Sequence, residues 1–189
     1  MRILTWMKVL VGIVLIAAVV TYKVYNSDWF QKKYIYPFPY QDIVYRYSLE
    51  RNIDPFLIAG VIRTESKFKS QAKSPKGALG LMQLMPETAK WVADQMENMD
   101  YNITQLENPE INISMGTWYL ASLKKEFKDN EVLMLAAYNG GRGNVKQWMV
   151  QYEWTMSFGE IEKIPFQETK EYVNRVLYSK KRYQELYGR

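Results

Sequence analysis

Neither cysteine nor histidine occurs anywhere in the 189 residues. Their absence excludes disulfide bridges, zinc sites of the usual Cys/His kind, thiol nucleophiles and every Ser-His or Cys-His catalytic pair. Any acid or base must therefore be Glu, Asp, Lys or Tyr. Lack of cysteine leaves the compartment open, and is compatible with export. The ten glycines and seven prolines follow no period, which excludes collagen-like and low-complexity classes. No segment recurs at the roughly 20 to 50 residue spacing of solenoids. Acids are missing from residues 1–27, which carry Arg2, Lys8 and Lys23; without those three, 25 basic against 20 acidic residues become 22 against 20. The body of the chain is thus nearly neutral and lacks the concentrated basic face that a nucleic-acid partner requires. Gly140-Gly141-Arg142-Gly143 lacks the spacing of a phosphate loop. No metal or organic cofactor is implied.

What is present begins with an unbroken apolar run, Val9 to Val20, inside a stretch from Ile3 to Tyr22 that holds one charge, Lys8. Such a stretch can just cross a hydrocarbon core of about 30 Å, with Trp6 and Tyr22 near the interfaces. The alternatives are a cleaved signal peptide, for which Ala17 and Ala18 supply small residues without a clear A-x-A site, or a buried core helix. The expectation is an uncleaved single-pass anchor over 1–27 with the rest of the chain outside the cytoplasm, or secretion if the segment is cleaved. Residues 28–40, aromatic and carrying Pro37 and Pro39, read as a juxtamembrane linker, and 41–189 as the domain.

The domain reads as mainly α. Helices are expected at 41–51, from Asp54-Pro55 to Glu65, from Pro86 to about Met96, from Asn108-Pro109 to about Lys128, at 131–138, near 144–152 and from about Gln167 to Leu186. Ser74 to Gly80 is rich in breakers and reads as a loop or short β-hairpin.

Glu65 draws attention because Ile58, Val61, Ile62 and Glu65 share one helical stripe, so the carboxylate continues an apolar face. A carboxyl half-withdrawn from water has a raised pKa and can donate a proton near neutrality. The bland alternative is a Glu in a last turn that pairs with Arg63 or Lys69. Met82 and Met85 read equally as core filler, Tyr138 as one of fifteen tyrosines, and Glu168 as a helix cap. Asn102-Ile103-Thr104 and Asn112-Ile113-Ser114 match the glycosylation pattern, as three-residue segments do by chance.

Taken together, Glu65-Ser66, Gly80-Leu81-Met82-Gln83, Ala137-Tyr138-Asn139-Gly140-Gly141 and Glu168-Thr169 followed by Tyr172-Val173 resemble the lytic transglycosylase catalytic domain, SLT, of glycoside hydrolase family 23, related to goose-type lysozyme. The four motifs occur in the family's order between about Ile43 and Lys180. The resemblance implies a lysozyme-like helical domain with a small β-hairpin region. It makes Glu65 the single acid/base and Ser66 a neighbour that positions substrate. Gly80, Met82 and Gln83 would line the sugar cleft, Tyr138 and Asn139 would face Glu65, and Glu168 and Tyr172 would bind substrate near the domain's end. Where the family commonly shows A-Y-N-A-G this chain has Gly140, a change expected to loosen a helix end without touching chemistry.

The resemblance also implies a reaction. Most glycosidases need two carboxylates, but in a transglycosylase the C6 hydroxyl of N-acetylmuramic acid attacks its own anomeric carbon, an intramolecular nucleophile already close. A 1,6-anhydro end results and no water is consumed. Peptidoglycan strands would be the substrate, with cell-wall synthesis or division proteins as possible partners. Two other readings stay open: a hydrolase on the same fold, for which Glu87, Asp94 and Glu168 are the candidate second carboxylates, and a silent glycan-binding scaffold.

Overall fold

The computed structural model describes residues 2–98 and 100–188; Met1, Met99 and Arg189 lie outside the described residues, as do the side chains of residues 2–5 and 9, so the outermost parts of the expected anchor and the last residue of the domain are not among them. Helix α1, Arg2–Tyr25, is continuous. Its segment Trp6–Tyr25, 20 residues of mean hydropathy 2.1, has no buried residue among those described and is long and apolar enough to cross a membrane.

A short helix α2, Asp28–Phe30, and a π-helical turn, Gln31–Ile35, lead from α1 into the body. The segment expected as a linker is folded here: Tyr36 and Phe38 are buried. The Tyr183 and Tyr187 hydroxyls donate to the Pro37 and Tyr36 carbonyls at 2.9 and 2.8 Å.

The body follows as α3 Gln41–Arg51, α4 Pro55–Ser66, α5 Pro86–Gln95, α6 Pro109–Glu126, α7 Glu131–Gly140, α8 Arg142–Gln151 and α9 Gln167–Tyr187. The helices begin where capping chemistry says they should. Asp54 accepts from Phe56 N–H at 2.8 Å ahead of Pro55, and Asn108 caps α6 through Glu110 N–H at 2.9 Å. Asn130 accepts from Leu133 N–H at 2.9 Å and donates to the Phe158 carbonyl at 2.7 Å, tying a distant loop to the start of α7. Each cap is worth about 1 kcal/mol. Burial weighs more: Leu57, Ile58, Val61 and Ile62 of α4 are essentially inaccessible, at about 1.5–3 kcal/mol per side chain.

Helix α4 is the centre of the body and α9 is its closest neighbour. A Cβ at Gly60 would lie 2.9 Å from the Val176 carbonyl oxygen and 3.1 Å from Lys180 N, so the two backbones touch and leave room only for hydrogen. On α9 the buried residues Thr169, Tyr172, Val173, Val176, Ser179 and Tyr183 recur at helical spacing along the face turned to α4 and α7.

The expected β-hairpin is not formed. Among the described residues there is no strand, and residues 67–85 contain only two isolated bridges, Lys73 with Leu79 and Leu79 with Leu84. Five residues in this stretch have positive φ: Lys67 and Phe68 at its start, and Gly77, Gly80 and Gln83 at 89°, 78° and 48°, which break the extended run a ladder needs. Backbone pairing is limited to a few turn bonds, and the carbonyls that accept them are shared with side chains: Ala72 accepts from Gly80 N–H at 2.9 Å and from Gln83 Nε2 at 3.0 Å, and Leu79 accepts from Leu84 N–H at 3.0 Å and from Asn112 Nδ2 at 3.0 Å.

Candidate active site

Helix α4 stops immediately after Glu65 and Ser66, because Lys67 and Phe68 both turn left-handed, with φ of 52° and 62°. This places Glu65 in a last turn with its carboxyl still on the apolar stripe. Burial pushes the Glu65 pKa up to about 7; the Tyr172 hydroxyl and Arg175 pull it back, and the charge of Glu168 adds to the rise. A carboxyl there is protonated in a large fraction of molecules near neutrality, whereas an ordinary glutamate is not.

Two phenols share the carboxyl's surroundings. Tyr172 and Tyr138 stack in parallel, ring centroids 6.5 Å apart at 5°, and Tyr119 continues the array at 5.4 Å from Tyr138. Desolvation, then the charge of Glu65, hold both Tyr138 and Tyr172 well above the ordinary tyrosine value, so they stay neutral. Their hydroxyls differ in employment. Tyr138 donates to the Met82 carbonyl at 2.8 Å. The Tyr172 hydroxyl is buried with no fully formed hydrogen bond among the described residues, although it interacts with the Glu65 carboxyl closely enough to lower its pKa.

The loop with Gly80, Met82 and Gln83 is locked from α6. Asn112, wholly buried, accepts from Met82 N–H at 2.7 Å and donates to the Leu79 and Leu106 carbonyls at 3.0 and 2.9 Å. A Cβ at Gly80 would sit 2.1 Å from Asn112 Nδ2 and 2.2 Å from the Leu106 carbonyl oxygen, so no other residue fits. Met82 is fully buried and its sulfur fills the space a side chain at Gly116 would need. Gln83 holds the loop through the Ala72 and Gly80 carbonyls at 3.0 and 2.9 Å.

Asn139, on the last turn of α7, accepts from Thr169 Oγ1 at 2.8 Å. Gly140, followed by the cap residue Gly141, is the last helical residue of α7. A Cβ there would lie 2.9 Å from Thr169 Oγ1, so the missing methyl gives that hydroxyl its room beside Asn139. Glu168, exposed in the first turn of α9, lies 3.6 Å from Lys76. Together with Lys76 and Asn139 it lines a cavity of about 480 Å³. Ser66 is drawn inward: it is buried and its hydroxyl donates to the Ile62 carbonyl of its own helix at 3.1 Å. Glu87 and Asp94 are exposed on α5, and neither is among the groups that shift Glu65.

Asn112 and Thr169 hold the site although the sequence reading gave neither a role there: Thr169 stood in its motif only as the neighbour of Glu168, and Asn112 only in a glycosylation-pattern match. Asn112 carried a signal: it falls four residues before Gly116 and eight before Leu120, a polar side chain on the buried face of α6.

This architecture has known counterparts. Residues 42–157, more than half the chain, match the family described as the Transglycosylase SLT domain. The soluble lytic murein transglycosylase of Salmonella typhimurium is 38% identical over 144 residues, 75% of this chain and 22% of that protein. The membrane-bound lytic murein transglycosylase C of Edwardsiella ictaluri is 31% identical over 175 residues, 78% of this chain and 47% of that one. Among solved structures, the 70 kDa soluble lytic transglycosylase of Escherichia coli superposes with a TM-score of 0.76 at 35% identity, covering 85% of this chain and 26% of that one. Its complex with bulgecin A gives 0.77 at 33% identity, covering 90% and 28%. The chain thus spans about a fifth to a quarter of the soluble relatives' length, and the mainly helical, lysozyme-like fold is common to both. On the match across residues 42–157, the chain belongs to the Transglycosylase SLT domain family.

Proposed function

We propose that the body of this chain is a peptidoglycan lytic transglycosylase that cleaves the β-1,4 bond between N-acetylmuramic acid and N-acetylglucosamine and leaves a 1,6-anhydro end. The observation that carries the reading is the single carboxyl of Glu65 at the end of an apolar helix face, its pKa raised to about 7 by burial in the company of two stacked neutral phenols. A protonated Glu65 gives its proton to the leaving glycosidic oxygen. As a carboxylate it then takes the proton from the muramoyl C6 hydroxyl as that oxygen closes on the anomeric carbon. The acid is regenerated and water is not consumed. An intramolecular nucleophile removes the need for a second carboxylate, which fits the exposed positions of Glu87, Asp94 and Glu168.

The other residues divide by how firmly they are held. Tyr172, with its uncommitted hydroxyl, steers the Glu65 carboxyl and bonds sugar. Tyr138 sets the height of the Met82 loop, on which Gly80 and Gln83 shape the wall of the cleft. Asn139, oriented by Thr169, presents its amide to the glycan. Glu168 stands at the rim, where it contacts an outer sugar or its substituent. Ser66 supports the last turn of α4. An inactive mutant of the Pseudomonas aeruginosa lytic transglycosylase Slt in which a glutamate is exchanged for glutamine is among the structural relatives, which supports a glutamate as the reacting group.

The apolar α1 is read as an anchor, with residues 41–189 as the catalytic domain on the outer side, and the named membrane-bound relative supports this placement. The test is mass spectrometry of fragments released from purified peptidoglycan by the full chain in detergent, beside Glu65→Gln. Fragments lighter than reducing muropeptides by one water, absent with the variant, are expected. Reducing ends would replace this reading with hydrolysis, and release of anhydro ends by the variant would remove Glu65 from its role.

A further inference from the structure

The end of α1 is joined to the body by a rigid polar lock. Asn26 and Ser27 bond back to the Tyr22 and Val24 carbonyls at 2.8 and 2.7 Å, and Ser27 Oγ accepts from Phe30 N–H at 3.3 Å, so the chain leaves α1 directly into α2. Gln31 is buried. Its Nε2 donates to the Tyr25 carbonyl, the last of α1, at 2.7 Å, and its Oε1 accepts from Arg182 of α9 at 3.5 Å. The Tyr183 and Tyr187 hydroxyls on the same face of α9 hold the Pro37 and Tyr36 carbonyls. Helix α9 is also the helix that carries Tyr172, so apolar anchor and cleft share one helical strut.

The outer side of this junction is aromatic and cationic. Tyr25, Trp29 and Tyr34 are 50%, 61% and 55% exposed, yet they are not scattered. Tyr25 meets Phe30 at 5.6 Å, Phe30 meets Tyr34 at 4.9 Å and Trp29 meets Tyr34 edge-on at 5.9 Å, a contiguous cluster. The Lys33 ammonium lies over both Trp29 and Tyr34, 5.3 and 5.4 Å from the ring centroids. Lys23 and Lys32 flank it in sequence, the Lys32 ammonium lying over the Tyr187 ring of α9 at 5.0 Å, and one acid, Asp28, falls between Tyr22 and Tyr36. Amphipathic rings mixed with ammonium groups suit the headgroup layer of a bilayer, where the rings sit between ester and hydrocarbon and the cations meet phosphate. The cluster starts at Tyr25, where the apolar segment Trp6–Tyr25 ends.

We propose that residues 22–34 form a collar seated on the phosphate headgroups of the bilayer that α1 crosses, and that the Gln31 lock makes the anchored domain one rigid body with a fixed attitude to the membrane. The proposal rests on the reading of α1 as an anchor. Its consequence is geometric: a cleft carried on a stiff strut addresses glycan at one height and one angle, whereas a tethered one sweeps a volume.

The cysteine-free chain makes the test direct, because one introduced cysteine is the only labelling site. The full chain is placed in phosphatidylglycerol nanodiscs with a nitroxide at Val14→Cys, Trp29→Cys, Tyr34→Cys or Val150→Cys, and accessibility to oxygen and to a water-soluble nickel chelate is compared. Position 14 is expected in hydrocarbon, 29 and 34 at headgroup depth, and 150 in water. If 14 is in hydrocarbon while 29 and 34 match 150, the anchor stands and the collar is overturned; if 14 itself is in water, the anchor reading fails and the collar with it. Rigidity is read separately from electron-electron distances between labels at Val20→Cys and Leu49→Cys: one narrow distribution, broadened by Gln31→Ala, is expected. A distribution already broad with Gln31 in place overturns the fixed attitude.

Discussion

Two carboxylates on packed helices have opposite fates in this fold. Glu65, which we place at the floor of the proposed cleft, sits at the end of α4 where the stripe of Ile58, Val61 and Ile62 runs out, and burial lifts its pKa to about 7. Glu168, which we place at its rim, sits in the first turn of α9 with its side chain 70% exposed and Lys76 at 3.6 Å. Glu168 is open to water in the first turn of a helix, whereas at Glu65 burial disfavours charge by more than the Tyr172 hydroxyl and Arg175 favour it. The difference teaches that the reactive group is made by what surrounds it, since both residues are glutamates. It also locates the stability that was given up: a carboxyl raised from 4.5 to about 7 destabilises the folded state by up to about 3 kcal/mol above neutrality.

The sharpest way to test this contrast is Glu65→Gln. Loss of a general acid costs about 10²- to 10⁴-fold in rate, so peptidoglycan turnover should fall by at least that range. The same variant should be more stable than wild type at pH 8. Between pH 4.5 and 7 native Glu65 binds a proton that the unfolded chain has released. Wild-type stability therefore falls as pH rises through this window, and the glutamine chain is spared the loss. Urea unfolding at pH 8 and pH 4.5 measures it: a gain of up to about 3 kcal/mol at the higher pH and little at the lower. Equal gains at both would show that desolvation of charge is not what sets the floor apart.

The loop that closes the floor should be the next most sensitive element. Asn112→Ala removes the partner of the Met82 N–H and of the Leu106 carbonyl, while the Leu79 carbonyl keeps the Leu84 N–H at 3.0 Å. With about 1–3 kcal/mol for each buried group left unpaired, a loss of at least about 2 kcal/mol in unfolding free energy is expected. A loss below about 1 kcal/mol would mean the loop holds itself. Tyr138→Phe should cost less, about 1 kcal/mol for the Met82 carbonyl bond, and should lower kcat more than it raises KM.

What was legible in the sequence follows the same division. The Glu65 floor was legible because an apolar stripe and its interruption are both local, within one helix. The helix starts at Asp54 and Asn108 were legible for the same reason. Asn112 was not, since its three partners lie up to 33 residues away and a polar residue in a helix defaults to solvent. The turn-rich stretch from Ser74 to Gly80 announced reversals in the chain. It could not announce that left-handed residues would limit pairing to isolated bridges, with Gln83 and Asn112 sharing the same carbonyls. Segment 28–40 displayed its aromatics, but the tyrosines of α9 that cover them lie about 150 residues further on.

The smallest effects belong to the rim, and they separate by sign. Arg175 lowers the pKa of Glu65 and Glu168 raises it, with Arg175 the larger influence. In the rate profile, the limb that falls above neutrality reports loss of the Glu65 proton. Arg175→Gln should therefore move that limb to higher pH, and Glu168→Gln should move it to lower pH by a smaller step, since an exposed charge acts through water. Added salt should shrink both displacements while leaving the position set by burial where it is. If Glu168→Gln instead abolishes turnover at every pH, the rim carboxylate takes part in bond cleavage, and the exposure that distinguishes it from Glu65 does not persist once substrate fills the cleft.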